Sequence, residues 1–239
     1  MTCDALFLSP HPDDVELFCG ATVAVLASGG HDVVIADLTR GELASNGTPE
    51  ERRACSLRAC ADLGASEDRP VLELPDGAID PHDEAQLEAL VGLLRELRPR
   101  WLFAPWVDDR HPDHEAAGAL ARRAHFFAGV GRKASARGAP FRSERLLFYP
   151  CHHDVTPTVA FDVGAGMDAW RRAVDRYESQ FRRGEGTTAT VINAPGFLTA
   201  HEGRRARLGR SVGADFAEGF VVEGPWLAPA ALPARGERG

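Results

Sequence analysis

The chain has 239 residues, of which 44% are hydrophobic and 26% charged, and its formal net charge is −8. This length and composition are typical of a globular protein with one domain, or at most two small ones. No run of Lys and Arg forms a basic stripe, which argues against nucleic acid or an anionic membrane as a partner. No apolar run has the length of a signal peptide core or a membrane span, so we expect a cytoplasmic protein.

The cysteines are odd in number and irregularly spaced, and none forms a C-x-x-C pair: Cys3, Cys19, Cys55, Cys60 and Cys151. This pattern predicts reduced thiols rather than a disulfide framework or a zinc ribbon.

Strands and helices alternate through the first half of the chain. The strands are predicted at residues 4–9, 32–39, 70–75 and 100–106, and the helices at 13–29, 48–64, 81–99 and 111–127. Thr48 is a helix N-cap, Pro49 suits the first helical position, and glycines end the first two helices. This alternation predicts βαβ units, and therefore an α/β fold with a mostly parallel, Rossmann-like sheet flanked by helices.

The second half is less regular. Strands are predicted at 144–150 and 157–163, helices at 167–181 and 202–213, and either a late strand or an active-site loop at 217–224. We find no linker and no internal repeat, so residues 1–239 are predicted to form a single domain, with a poorly ordered tail after about residue 226.

The tripeptide His-Pro-Asp occurs twice, beginning at His11 and at His111, and each copy follows a predicted strand. In a Rossmann-like order these two strands, the first and the fourth, are neighbours where ligands bind. His11 and Asp14, like His111 and His114, are three residues apart, so both members of a pair can face one point. Two His and one carboxylate with an open position form a catalytic zinc site.

A simpler interpretation of each motif taken alone is also open. The acids could merely stabilise a helix N-terminus, and the histidines could be surface residues. Because both motifs fall at neighbouring strand ends, we favour one shared site.

Five segments carry a family resemblance: "SPHPDDVELFCGAT", "TRGELASNGTPEER", "RHPDHEAAG", "YESQF" and "GADFAEGF". Together they resemble the PIG-L/LmbE-like zinc-dependent N-deacetylases, from about Asp4 to Phe220. Within that family the match is closest to the bacillithiol-type branch, which acts on N-acetylglucosaminyl malate. The resemblance implies an LmbE-like fold, a Zn²⁺ cofactor and a homo-oligomer, either a trimer or a hexamer.

The resemblance also implies roles for the first motif. His11 and Asp14, with His114 from the second motif, would ligate zinc. Asp13 would be the general base that takes a proton from the attacking water.

For the second motif, the resemblance implies that His111 stabilises the oxyanion or protonates the leaving amine, with Asp113 orienting its ring. Arg52 matches a family Arg that binds an anionic part of the substrate, for which a malate carboxylate is suitable. The alternative for Arg52 is a solvated helix residue. Family members often carry Tyr where this chain has Phe197, so no tyrosine role is expected there.

The adjacent residues His152 and His153 follow a predicted strand. In an extended segment their side chains point to opposite sides, so at most one can face a pocket. The other histidines, His201 among them, have no partner by spacing and are assigned no role.

Three functions remain open from the sequence. The leading hypothesis is a zinc-dependent amidohydrolase that deacetylates N-acetylglucosaminyl malate. The second keeps the chemistry with another GlcNAc conjugate, a chitooligosaccharide or a glycosylated natural product. The third is a non-catalytic sugar- or metal-binding module. The absence of G-x-G-x-x-G at the first strand–helix turn disfavours a dinucleotide enzyme, and the absence of G-x-S-x-G disfavours a serine hydrolase.

Overall fold

The computed structural model describes residues 2–133 and 138–224. The tail after about residue 226, predicted from its composition to be poorly ordered, lies outside these ranges. The strands in the described residues are β1 (Ala5–Ser9), β2 (Val33–Asp37), β3 (Trp101–Pro105), β4 (Arg145–Tyr149), β5 (Val159–Asp162) and β6 (Ala217–Val222). The α-helices there are α1 (Asp14–Ser28), α2 (Pro49–Leu63), α3 (Glu84–Leu97), α4 (Pro112–Ala128), α5 (Met167–Asp175), α6 (Glu178–Phe181) and α7 (Phe197–Val212).

The strands form one mixed sheet in the order β2-β1-β3-β4-β6-β5. The pairs β1/β2, β1/β3 and β3/β4 are parallel, whereas β4/β6 and β5/β6 are antiparallel. The predicted α/β class with a mostly parallel, Rossmann-like sheet is therefore confirmed. Residues 217–224, which the sequence allowed to be either a strand or a loop, contain the strand β6. The placement of β1 beside β3 also confirms that the two His-Pro-Asp loops follow neighbouring strands.

The predicted strand at 70–75 is wrong. Its pairing with β2 is the isolated bridge between Asp37 and Val71. Backbone hydrogen bonds from Leu72 N to Asp37 O, of 2.9 Å, and from Leu74 N to Leu38 O, of 2.8 Å, keep the segment alongside. Glu73 then has a φ of 52°, in the left-handed region that extended strands do not occupy. The segment therefore runs beside β2 without continuing as a strand.

The predicted helix at 167–181 is interrupted. It ends as α5 at Asp175 and resumes at Glu178 as the single turn α6, because Tyr177 has a non-helical ψ of 51°. The buried hydroxyl of Tyr177 donates a 2.7 Å hydrogen bond to Glu16, which fixes this break. The last predicted helix begins earlier than expected, at Phe197.

The parallel strands β1, β2 and β3 bury both faces, as strands covered by helices on both sides do. Phe7 and Phe103 stack at a centroid distance of 4.1 Å in the core that α1, α2 and α5 cover. Leu6 and Leu102 point into the opposite core, which α3 and α4 cover. All five cysteines are free, as predicted. Among the described helices, none combines the length and apolar character needed to cross a bilayer.

Helix α1 has a kink whose cause lies on β6. Cys19 has φ −145° and ψ 18°, outside helical values. The backbone N–H groups of Ala21 and Thr22 donate to the Glu218 carboxylate, at 3.4 and 2.7 Å. The buried Arg205 pairs with Glu218 at 2.7 Å. The kink thus separates the first turn of α1, which carries motif residues, from the rest of the helix.

Candidate active site

The site lies at the carboxyl ends of β1 and β3. The loop after β1 carries His11 and Asp13, and Asp14 begins α1; the loop after β3 leads into α4 through His111. Because parallel strands end at the same edge of the sheet, these loops meet although they are far apart in sequence.

Three of these side chains converge at one point. The Oδ2 atom of Asp14 lies 3.1 Å from Nδ1 of His11 and 3.1 Å from Nε2 of His114. All three residues are buried, and their ligand atoms lie within 4.8 Å of one another. Tetrahedral zinc with bonds of about 2.0–2.1 Å keeps its ligand atoms about 3.3 Å apart. The donor set therefore fits a zinc ion with one position left open.

The second nitrogen of His11 is held by carboxylates. Its Nε2 lies 3.1 Å from Oδ2 of Asp113 and 3.2 Å from Oδ1 of Asp76. Burial acts to lower the pKa of His11, but Asp113, Asp14 and Asp76 together raise it well above its usual range. A carboxylate on the far nitrogen is the usual means of orienting a metal-ligating histidine.

Asp113 does not orient His111 through its carboxylate, contrary to the expectation. That carboxylate also accepts hydrogen bonds from the backbone N–H of Gly77, at 2.7 Å, and of Ile79, at 3.3 Å. What reaches His111 is the backbone N–H of Asp113, which donates to Nδ1 of the imidazole at 3.2 Å. The reason is geometric: as helix N-cap, His111 turns its ring back onto its own first turn.

The ring of His111 nevertheless lies next to the proposed metal ligands. It is half-buried, and its centroid lies 4.8 Å from that of His11 and 4.8 Å from that of His114. Burial, followed by the charges of His114 and His11, lowers the pKa of His111.

Asp13 sits between the two ligands of its loop in an unusual backbone conformation. Its φ is 122°, a region that residues with a side chain rarely adopt, and its backbone oxygen accepts from Leu17 N at 2.9 Å. Burial, opposed by the nearby Arg52, raises the pKa of the Asp13 carboxyl to about 7. Such strain at a buried carboxylate is characteristic of a functional position.

Arg52 is buried rather than solvated, and its guanidinium nitrogens Nη1 and Nη2 are bonded to acceptors within the protein. It is only 4% exposed. Its Nη2 donates to Pro12 O at 2.5 Å and to Oδ2 of Asp13 at 3.0 Å, and its Nη1 donates to Gly41 O at 3.1 Å. A Cβ on Gly41 would come within 2.0 Å of Nη1, so only glycine allows this contact. Arg52 therefore holds the Asp13 loop. It also lines the active-site cavity, so its expected role as the anion-binding residue stays a prediction.

His152 faces the site, whereas His153 is exposed, as the alternation predicted. Nδ1 of His152 lies 2.7 Å from Oδ1 of Asp109, and its ring centroid is 5.0 Å from that of His114. Asp109 also accepts from the backbone N–H of His111 at 2.8 Å. Asp109 thus joins the loop after β3 to the segment after β4, a role that the sequence did not reveal.

A cavity of about 220 Å³ opens over the converging side chains. Besides the motif residues, its lining includes Ser45 and Asn46 from the loop after β2, together with Arg52, Asp76, His152, Thr190 and Ile192. Phe197 lies beyond it, with its ring 4.7 Å from that of His201. The position where the family often has Tyr therefore packs against a histidine here.

Comparisons with known proteins agree with this geometry. Residues 6–125 match the family model PIG-L, described as GlcNAc-PI de-N-acetylase. The diacetylchitobiose deacetylase of Thermococcus kodakarensis is 30% identical over 195 residues, which cover 74% of this chain and 69% of the relative. The 1D-myo-inositol 2-acetamido-2-deoxy-alpha-D-glucopyranoside deacetylase of Kineococcus radiotolerans is 27% identical, over 59% of this chain and half (50%) of the relative's length. In structure, the conserved protein TT1542 from Thermus thermophilus superimposes with a TM-score of 0.87 at 42% identity, covering 98% of this chain and 100% of that one.

Proposed function

Because the chain belongs to the PIG-L (GlcNAc-PI de-N-acetylase) family, we propose that it is a zinc-dependent N-deacetylase that hydrolyses the acetamide of N-acetylglucosaminyl malate. The observation that carries this proposal is the convergence of His11 and His114 on Oδ2 of Asp14, at 3.1 Å each, with Asp13 and His111 alongside. The curated relatives support the reaction class, since both are named as deacetylases of acetamido sugars.

His11, Asp14 and His114 would hold the metal. When bound there, zinc polarises the acetamide carbonyl and lowers the pKa of a water molecule toward about 7. Both effects suit an amide, whose carbonyl is a poor electrophile and whose amine is a poor leaving group.

Asp13 is the proposed base. Its carboxylate takes a proton as the water oxygen adds to the acetamide carbon, and returns that proton to the nitrogen as the C–N bond breaks. Acetic acid and the free amine are formed and the carboxylate is restored; the acid then gives its proton to the amine, so that acetate and the ammonium form leave. The hydrogen bonds of Arg52 to Asp13 and Pro12 keep the carboxylate in place through this cycle.

His111 is proposed to act on the oxyanion as a neutral hydrogen-bond donor. Its Nδ1 accepts the N–H of Asp113 at 3.2 Å, so the single proton of the neutral ring resides on Nε2. That proton can be donated to the oxygen on which negative charge develops. A doubly protonated ring could not accept the hydrogen bond from the backbone N–H of Asp113. This favours His111 as a neutral donor to the oxyanion over His111 as the acid that protonates the leaving amine.

A second candidate substrate is a chitooligosaccharide, favoured by the diacetylchitobiose deacetylase relative. It requires the same residues and differs only in a neutral aglycone. A non-catalytic binding module is disfavoured, because a strained, buried carboxylate beside a ligand set has no use in binding alone.

The test is acetate release by purified protein from N-acetylglucosaminyl malate and from diacetylchitobiose. We expect release from the malate conjugate that disappears when the metal is removed by a chelator and returns with added zinc. Persistent release from a sample verified to be metal-free would refute zinc dependence. Faster release from diacetylchitobiose would support the deacetylase reaction but refute N-acetylglucosaminyl malate as the preferred substrate.

A further inference from the structure

A second cavity, of about 460 Å³, adjoins the candidate active site. We call it the arginine cavity, and the lining residues that matter here are Arg110, His152, Asp154, His201, Arg204 and Arg207. None of the proposed catalytic steps uses its arginines.

The arginine cavity and the active-site cavity are neighbours that share one lining side chain. His152 lines both cavities. Its ring centroid lies 5.0 Å from that of the proposed ligand His114 and 6.5 Å from that of His111. The arginine cavity is therefore the neighbouring space on the His152 side of the ligand set, where the aglycone of a conjugate bound through its acetamide would lie if it passes His152.

The charges that line the cavity do not balance. Asp154 lies 3.5 Å from Nε of Arg204 and 3.8 Å from Nη2 of Arg207, so one carboxylate faces two guanidinium groups. Arg110 adds a third, and it forms no ion pair within 4.0 Å in residues 2–133 and 138–224. This local excess of positive charge occurs on a chain whose formal net charge is −8, so it is not a general property of the surface.

The cavity is also partly preorganised. Nη1 of Arg204 donates to Cys151 O at 2.8 Å, and its Nη2 donates to His153 O at 3.1 Å. Burial, only partly offset by Asp154, lowers the pKa of Arg204, as expected for a guanidinium with too little opposing charge. Arg207, whose side chain is 75% exposed, remains free to turn toward a ligand.

On the basis of the function proposed above, we propose that the substrate's aglycone carries a carboxylate or phosphate that binds in the arginine cavity between Arg110, Arg204 and Arg207. Guanidinium groups bind both anions through paired N–H donors. These three arginines lie on the loop after β3 and on α7, apart from Arg52, for which the resemblance implied an anion-binding role. The malate conjugate fits because its aglycone has two carboxylates.

The experiment compares matched probes. N-acetylglucosaminyl malate is set against its dimethyl ester, which has the same skeleton without charge, and N-acetylglucosamine 1-phosphate supplies the phosphate. The measured quantity is the ratio of kcat/KM for each anionic probe to that for the ester. The variants are Arg207→Gln, Arg207→Lys and the double variant Arg110→Gln/Arg207→Gln. Arg210→Gln is the control, an exposed arginine on the same helix that does not line the cavity.

We expect the wild type to have a higher kcat/KM for an anionic probe than for the ester. Whether the malate conjugate or the 1-phosphate gives the larger ratio shows which anion the cavity binds. In Arg207→Gln, loss of one charged donor should lower the kcat/KM ratio of the preferred anionic probe to the ester about tenfold. The double variant should lower this ratio further. Arg207→Lys should retain part of the preference, and Arg210→Gln all of it. The preference should also shrink as salt is raised, because an exposed charge pair is screened.

Equal kcat/KM for the ester and both anionic probes, unchanged by the arginine variants, would overturn the inference and leave the deacetylase function standing. A loss of preference in Arg210→Gln equal to that in Arg207→Gln would overturn it as well. Failure to release acetate from any probe by zinc-loaded protein would overturn both the inference and the proposed function.

Discussion

At the scale of single residues, Arg52 acts on the candidate site through Asp13. Its guanidinium joins Pro12 O, Gly41 O and the Asp13 carboxylate, all inside the protein. We therefore describe it as a positioning residue that holds a backbone conformation with φ 122° at Asp13.

Arg52→Lys should lower kcat for acetate release by about 10- to 100-fold, the range seen when outer contacts of a metal site are lost. A lysine keeps the charge but cannot reach three acceptors at once. KM should change little, and to the same extent for the malate conjugate and its dimethyl ester. A selective rise in KM for the charged conjugate, with kcat unchanged, would return Arg52 to the substrate-binding role that the sequence suggested.

His201 gives a second prediction at this scale. Burial, with Arg205 and Arg204, lowers the pKa of His201 to about 3, whereas an unfolded chain has about 6.5. The folded state thus keeps His201 neutral, so its contribution to stability is present above pH 6.5 and is lost as the pH falls. Between pH 7 and pH 5 this loss amounts to about 2 kcal/mol of unfolding free energy.

The measurement is urea unfolding at pH 7 and pH 5. His201→Gln should lose about 2 kcal/mol less than the wild type over this interval, because glutamine does not titrate. His82→Gln, at an exposed position, serves as the control and should follow the wild type. An identical loss in His201→Gln and in the wild type would contradict the assignment.

The convergence of the motif residues could be predicted from the sequence, because each motif is local and the strand order brings both together. His11, Asp14 and His114 meet as spacing and resemblance implied. Asp76 was missed because it contacts His11 from a loop with no motif of its own. Asp109 was missed because its partner His152 lies on the segment after β4, which no motif links to the loop after β3. The burial of Arg52 was also missed. The helical segment around it is rich in charged residues, so the sequence gives no sign that this one is buried.

At the scale of elements, the kink in α1 depends on a carboxylate from another element. Glu218 on β6 accepts the N–H groups that the kink at Cys19 releases, and Arg205 neutralises it. The local sequence of α1 did not lead us to predict this kink. The interrupted segment at 70–75 and the break at Tyr177 have the same kind of origin, since contacts distant in sequence decide the backbone there.

Glu218→Ala should lower the free energy of unfolding by about 3 kcal/mol or more, because it leaves a buried guanidinium without its partner. Glu223→Ala is the matched control: its pair with Arg122 is partly exposed, and the loss should stay below about 1 kcal/mol. Chemical denaturation with both variants tests this difference. Equal losses in the two variants would show that Glu218 does not support the kink.

At the scale of the whole molecule, the sheet order brings the two motifs together. The alternation of strands and helices predicted the sheet, and the order β2-β1-β3 then placed both motifs at one edge. The antiparallel end of the sheet was harder to foresee, because no repeat or motif there specifies strand direction. We propose that the chain is a single domain, with both cores packed on this one sheet.

Zinc should therefore stabilise the molecule as a whole, since His11 and His114 come from distant parts of the chain. With free zinc at 100 times its dissociation constant, the gain is about 2.7 kcal/mol. Thermal unfolding with zinc and with a chelator should show a higher Tm with zinc for the wild type. His114→Gln should lose most of this difference, and an undiminished difference would exclude His114 as a ligand.

The most direct test of the central claim is the turnover of Asp13→Asn, measured together with its metal content. The site described here predicts that this variant retains zinc in the wild-type amount. Its acetate release should fall by about 10²–10⁴-fold, as expected on loss of a general base. A variant that releases acetate at the wild-type rate, or that loses its zinc while keeping turnover per bound metal, would contradict the assignment of Asp13 as base and of Asp14 as ligand.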